Sequence, residues 1–214
     1  MWLVKKLSSS LGKKGLMAIS GLFLSFFLLA HMIGNFTAFL GKETFNAYSA
    51  HLHALGPLIH LFELLLLTAL LVHVTTAVVL FVQNLQSRPI RYAVSKTKGR
   101  SLATRLMPYT GLLTFIFLLV HLANFHFSPL KLTVAEAVRL QLHKPAFALF
   151  YMLSVVGVAL HSSHGLWSLF QSIGWNHPKY NPLLEKGAVA LSVVIGTVFF
   201  LIPLLALTVE GFLR

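Results

Sequence analysis

Four histidines stand near the middle of four separate hydrophobic segments of this chain, one in each segment: His31, His73, His121 and His161. An imidazole in hydrocarbon is costly, so such a residue usually marks a functional site and needs a partner. Two hemes need four ligands when each iron is held by two axial histidines. The four histidines therefore predict a diheme site inside a membrane.

The segments that carry these histidines are long enough to cross a bilayer. Hydrophobic residues make up 57% of the 214-residue chain and charged residues only 10%. A membrane-spanning helix needs about 20 predominantly apolar residues. The sequence predicts five such spans, numbered 1 to 5, at about 16–40, 57–85, 107–128, 145–172 and 186–211. We therefore expect an all-α fold, a five-helix transmembrane bundle that forms one membrane domain over residues 1–214.

Basic residues are distributed unevenly between the two sets of loops. With a cytoplasmic N-terminus, twelve Lys and Arg residues lie on the inner side and five on the outer side. This distribution satisfies the positive-inside rule, so the net charge of +12 indicates topology and not a nucleic-acid partner. We expect the basic loop at 88–105 to contact anionic lipid or an acidic partner subunit. The chain has no cysteine, which excludes disulfides and thiolate-held iron–sulfur clusters within it.

Depth in the membrane predicts which histidines share a heme. Counted at about 1.5 Å per residue from the predicted helix ends, His31 and His121 lie roughly 20 Å above the cytoplasmic edge. By the same count, His73 and His161 lie about 15–17 Å above that edge. We therefore expect His31 and His121 to hold an outer heme b, and His73 and His161 to hold an inner heme b.

Small residues lie one turn from each inner histidine. Alanines stand four positions before and after His73, and Gly157 and Gly165 flank His161 in the same way. Such residues leave room for a flat porphyrin against the helix, but they also serve ordinary helix packing.

We identify no internal repeat in the sequence.

The order and spacing of the histidine motifs resemble those of a known family. This family is the diheme cytochrome b membrane anchor of succinate:quinone oxidoreductases, in its single-chain, five-helix form. The resemblance covers about residues 16–175. The motifs that carry it are His31-Met-Ile-Gly-Asn35, Leu71-Val-His73, Val120-His121-Leu122 and His161-Ser-Ser-His164-Gly165-Leu166-Trp167-Ser168.

The resemblance implies a membrane anchor that transfers electrons in a bacterial cytoplasmic (inner) membrane. Electrons would pass between a menaquinone-type quinone and an iron–sulfur subunit through two b hemes. A flavoprotein subunit would interconvert succinate and fumarate, so this chain would be the subunit of the enzyme that binds no dicarboxylate.

The family pattern also decides between two candidate ligands in span 4. The ligand precedes a Gly-Leu-Trp stretch by four residues, which selects His161. His164 is then expected to contact a heme propionate or to assist a ligand, or else to form an ordinary interhelical hydrogen bond. Some fumarate-reducing relatives carry a glutamate two residues before the ligand as a proton path. Here that residue is Ala159, which puts that path in doubt.

Apart from Glu210 at the end of span 5, Glu63 is the only acidic residue inside a predicted span. A buried carboxylate near the outer surface could accept protons from a quinol, so we assign Glu63 to quinone proton handling. The alternative is a residue exposed to water at headgroup level. His51, His53 and His60 lie nearby in the sequence and are interpreted as a solvated face, with a zinc site as the alternative.

Two other functions stay open at this point. The cytochrome b anchor of a hydrogenase or formate dehydrogenase would also use histidines inside the membrane. A heme-free transporter would line a water path with them, and that protein would be colourless.

Overall fold

The computed structural model describes residue 6 and residues 8–87 and 102–214, with only the backbone at 102–104. These residues form seven α-helices and, within the described ranges, no strand. The helices are α1 (Ser10–Phe36), α2 (Lys42–His53), α3 (Pro57–Gln86), α4 (Leu102–His121), α5 (Val134–Leu142), α6 (Pro145–Ser172) and α7 (Asn181–Thr208). A 3₁₀ turn (Thr37–Leu40) extends α1, and a π-helical turn (Leu122–His126) extends α4.

Five of the helices are long and apolar enough to cross a membrane. They are α1, α3, α4, α6 and α7, which correspond to the predicted spans 1 to 5. The helix α6 has the predicted bounds. The helix α1 begins at Ser10 instead of residue 16, because the Ser9 side chain caps it by accepting a hydrogen bond from the Gly12 backbone N–H. The helix α7 begins at Asn181 instead of residue 186, with Pro182 in its first turn.

The helix α6 lies at the centre of the bundle and packs against α1, α4 and α7. Its buried residues include Ser154 and Gly157, whose small size permits close packing. The helix α3 is peripheral: along its whole described length it buries only Thr76. It packs mainly on α1, and Lys13 Nζ donates a hydrogen bond of 2.6 Å to Gln83 Oε1. The start of α1 and the end of α3 therefore lie on the same side of the bundle.

The opposite side of the bundle is covered by two short helices, α2 and α5. The helix α2 occupies residues that the sequence leaves as a loop. The two helices are joined where Asn46 Oδ1 accepts a hydrogen bond from the backbone N–H of Ala135, in the first turn of α5. Buried apolar side chains fill the space beneath them: Ala38, Phe45, Ala135, Val138, Leu142, Tyr151, Ile202, Ala206 and Leu213.

The helix α5 lies within residues 132–143, where apolar spacing predicts a short outer helix, and Thr133 and Glu136 form a capping box at its start. Hydrogen bonds from the Thr133 backbone N–H and hydroxyl hold the pKa of the exposed Glu136 carboxyl below its ordinary value. This contribution to stability is therefore present above the ordinary carboxyl pKa and is lost as the pH falls through the lowered one. Most of the basic 88–105 loop lies outside the described residues.

Gly34 allows α2 to pack against α1. A methyl group added at Gly34 would lie 2.5 Å from Tyr48 Cε1 on α2, whereas one added at Gly15 of the same helix would meet nothing within 4 Å. We therefore expect Gly34→Ala to lower the free energy of unfolding by about 1–3 kcal/mol relative to Gly15→Ala. Unfolding of both variants in mixed detergent micelles measures this difference, and equal stabilities would contradict the packing of α2 on α1.

Candidate functional site

The four intramembrane histidines meet in two pairs. The ring centres of His31 (α1) and His121 (α4) are 5.8 Å apart, and their planes cross at 88°. The ring centres of His73 (α3) and His161 (α6) are 6.4 Å apart, with planes at 78°. These are the pairs that depth predicts. We call them the outer pair and the inner pair, and the inner pair is nearer the side where α1 begins.

The separation within each pair suits a single metal ion. Two imidazoles on opposite sides of one iron, with metal–nitrogen bonds of about 2.0 Å each, have ring centres roughly 6 Å apart. Both observed separations are close to this value. Each pair also joins two helices that are not consecutive spans, so a bound group would link the first half of the bundle to the second.

Aromatic rings surround the outer pair. Phe27 stacks on His31 with ring centres 5.3 Å apart, and Phe199 of α7 approaches the same histidine at 5.5 Å. Phe117 and Phe125 lie 5.6 Å and 5.1 Å from His121. The contribution of Phe199 is not predicted, because the sequence places both hemes within the first four spans.

The Nδ1 atom of His121 is buried and has no hydrogen-bond partner within the described part of the chain. An unsatisfied buried polar atom costs about 1–3 kcal/mol, so this nitrogen is a candidate contact for a group that the chain does not itself supply. The ring separations make the histidine pairs a suitable set of donors for two hemes.

Hydroxyl groups from neighbouring helices approach the inner pair. Ser20 Oγ of α1 lies 3.2 Å from His73 Nδ1, and Thr110 Oγ1 of α4 lies 3.5 Å from His161 Nδ1. Both hydroxyl-bearing residues are buried. The approach of Ser20 and Thr110 to the inner histidines is not predicted from the sequence, although the sequence contains a pattern that could have indicated it.

That pattern is an internal repeat, which shows that our expectation of no repeat is wrong. Residues 16–31 read LMAISGLFLSFFLLAH and residues 106–121 read LMPYTGLLTFIFLLVH. Eight of the sixteen positions are identical, and Ser20 aligns with Thr110. The repeat ends on the two outer histidines, and it places a phenylalanine four residues before each one. In the structure, both phenylalanines pack on the histidine that follows them.

The two small residues beside His161 differ in their surroundings. A methyl group added at Gly157 would lie 2.6 Å from Leu113 Cδ2, so Gly157 serves the packing of α4 on α6. A methyl group added at Gly165 would meet only Met107 Cε, at 4.0 Å. Of the two glycines, Gly165 is the one beside which space is left.

His164 lies on α6 three residues after His161, about one turn further along the helix. The structure brings the His161 ring against His73. The order of the two residues along α6 therefore fits His161 as the inner ligand and His164 as a neighbour of that ligand.

Glu63 lies near the other end of α3, between two histidines. His60 Nδ1 is 3.0 Å from Glu63 Oε2, and His126 Nδ1 is 3.8 Å from Glu63 Oε1. The Glu63 side chain is 40% exposed, so it is not the buried carboxylate expected from the sequence, and that of His60 is 78% exposed. His126 ends the π-helical turn of α4, a distortion that is frequent at functional sites. The sequence alone does not place His126 here.

The other histidines of this region do not converge. His51 and His53 bond their Nδ1 atoms to backbone carbonyls on the exposed face of α2, those of Ala47 and Ser49. Across the described ranges, no group of three or more His, Cys, Asp or Glu side chains is arranged to hold a metal ion. The structure gives no support to a zinc site built from His51, His53 and His60.

No protein-family model, curated protein or solved structure matches the chain.

Proposed function

We propose that this chain is the diheme cytochrome b that anchors a succinate dehydrogenase or fumarate reductase complex in a bacterial cytoplasmic membrane. The observation that carries the proposal is the meeting of four intramembrane histidines in two pairs, each with the ring separation of two axial ligands on one iron. The order of the histidine motifs along the chain supports this particular type of cytochrome b.

In this proposal, His31 and His121 hold the outer heme, and His73 and His161 hold the inner heme. When bound, the two hemes supply one-electron transfer across the bundle. The chain itself orients the ligands and excludes water from them. The exclusion of water is assigned to the aromatic rings that surround the outer pair, among them Phe27 and Phe199.

The proposed orientation places the N-terminus in the cytoplasm, because this arrangement puts most of the basic residues inside. The iron–sulfur subunit then docks on the side where α1 begins, which is nearer the inner pair, and the flavoprotein subunit binds the iron–sulfur subunit. Electrons would have a short path between the soluble arm and the inner heme.

The proposed site of quinol oxidation or quinone reduction lies on the outer side, with Glu63 as the residue that handles protons. Oxidation of a menaquinone-type quinol releases two protons, and a positioned carboxylate can accept them. The hydrogen-bonding distance of 3.0 Å to His60, which is mostly exposed, gives such a proton a route to water. His126 lies on the other side of the carboxylate, 3.8 Å away, where it would form an ion pair with Glu63 when protonated.

The first prediction is that the purified chain carries two b-type hemes. Both should be six-coordinate and low-spin, because two axial imidazoles leave no open position on the iron. A pyridine hemochrome assay with a protein determination measures the ratio. A colourless protein, or one heme per chain, would contradict the proposal, and the colourless result is the one that a heme-free transporter predicts.

The second prediction concerns the pairing of the ligands. His31→Ala and His121→Ala should each remove or alter the same heme, while His73→Ala and His161→Ala should affect the other one. Redox titration of each variant identifies which heme changes. His164→Ala is the matched control on α6 and should retain both hemes. Retention of both hemes in His161→Ala but not in His164→Ala would reverse the choice of ligand.

The third prediction concerns Glu63. Glu63→Gln keeps the shape of the side chain and removes its titrating group. We expect this variant to retain both heme spectra and succinate–fumarate activity with soluble dyes, while quinol-linked turnover falls by about 100-fold, the lower end for loss of a general base. Glu43→Gln, on exposed α2, is the control and should behave as the parent. Parental quinol turnover in Glu63→Gln would rule out this residue.

A further inference from the structure

The repeat at 16–31 and 106–121 places an equivalent dipeptide, a hydroxyl residue followed by glycine, beside each inner histidine. Ser20-Gly21 faces His73, and Thr110-Gly111 faces His161. A methyl group added at Gly21 would lie 3.1 Å from His73 Cε1, and one added at Gly111 would lie 3.3 Å from His161 Cε1. Each glycine therefore lets an imidazole ring lie almost directly on the backbone of the neighbouring helix.

The hydroxyl group of each dipeptide has a defined direction. Ser20 Oγ donates its hydrogen to the Leu16 carbonyl at 2.6 Å, and Thr110 Oγ1 donates to the equivalent carbonyl, that of Leu106, at 3.0 Å. Because a hydroxyl has only one hydrogen, the oxygen that faces the imidazole acts there as an acceptor.

This direction selects one tautomer of each inner histidine. An accepting hydroxyl stabilises the form in which Nδ1 carries the hydrogen and donates it, which leaves the Nε2 lone pair available. The tautomer with a free Nε2 is one that can bind a metal, and donation from the other ring nitrogen makes the ligand more basic.

The outer pair has no comparable hydroxyl partner within the described residues. His121 Nδ1 is without a hydrogen bond. Asn35 Nδ2 lies 3.4 Å from both ring nitrogens of His31, and it also donates to the His31 carbonyl at 2.9 Å. An amide nitrogen can only donate, so it cannot accept a hydrogen from the imidazole.

We propose that Ser20 and Thr110 are positioning residues for the inner heme ligands, because they fix the tautomer of His73 and His161. In doing so they lower the reduction potential of the inner heme relative to the same site without the two hydroxyls. The inference rests on the proposed diheme function. The physical reason is that a more basic ligand stabilises the more highly charged ferric iron. Ser20 should have the larger effect, since its distance to the imidazole is 3.2 Å against 3.5 Å for Thr110.

The test is a redox titration of the full-length purified chain, parent and variants, monitored in the heme absorption bands. Ser20→Ala removes the acceptor and should raise the midpoint potential of one heme only. A net hydrogen-bond contribution of about 0.5–1.5 kcal/mol corresponds to roughly a two- to thirteenfold change in the ferric-to-ferrous ratio, about 20–65 mV for one electron. Thr110→Val, which keeps the shape of the side chain, should raise the same potential by less.

Two sets of variants separate positioning from general stability. Ser20→Thr and Thr110→Ser exchange the hydroxyl residues that the repeat itself uses and should keep the parental potentials. Ser25→Ala and Thr114→Val remove hydroxyls on the same helices that donate to the helix carbonyls of Gly21 and Thr110. They should also leave both potentials unchanged.

Loss of the inner heme in Ser20→Ala, with retention in Ser20→Thr and Ser25→Ala, would support the same role through ligand placement. Unchanged potentials in Ser20→Ala that still carries two hemes would overturn this inference and leave the proposed function intact. Equal shifts in Ser20→Ala and Ser25→Ala would overturn it as well. A parent chain with fewer than two hemes would instead contradict the proposed function.

Discussion

The structure depends on the constraint that polar groups inside a bilayer must find partners within the protein. Helices satisfy this constraint for the backbone, so only side chains can bring chemistry into the hydrocarbon region. Here the intramembrane imidazoles meet across helices in two pairs, and the bundle is arranged so that both pairs form. The central position of α6, between α1, α4 and α7, allows His161 to reach His73 on the peripheral helix α3.

The sequence predicts those features that depend on distance along a helix. Five apolar segments give the five spans, because the length of a span is fixed by bilayer thickness. The depth of a histidine follows from counting residues, and the ranking of depths tolerates errors of a few residues at helix ends. This is why the pairs His31–His121 and His73–His161 are predicted even though the predicted starts of α1, α4 and α7 are late.

The sequence does not predict features that depend on how helices rotate and approach each other. Phe199 reaches His31 because of the way α7 packs, and nothing in span 5 alone indicates it. His126 reaches Glu63 through a π-helical turn that adds a residue within one turn of the helix. The space beside Gly157 is occupied by the Leu113 side chain. This contact depends on the register of α4 against α6. The contacts of Ser20 and Thr110 are the exception, because the repeat that carries these two residues can be recognised in the sequence.

The crossed pairing of the histidines has a consequence for the assembly of the protein during synthesis. Each pair takes one residue from the helices α1 and α3 and the other from α4 and α6. Neither pair is complete while only the first half of the chain has entered the membrane. His121 completes the outer pair first, and the inner pair must wait until α6 has been inserted. A chain that stops before α6 therefore contains both histidines of the outer pair but only one of the inner pair, and this order follows from the order of the helices.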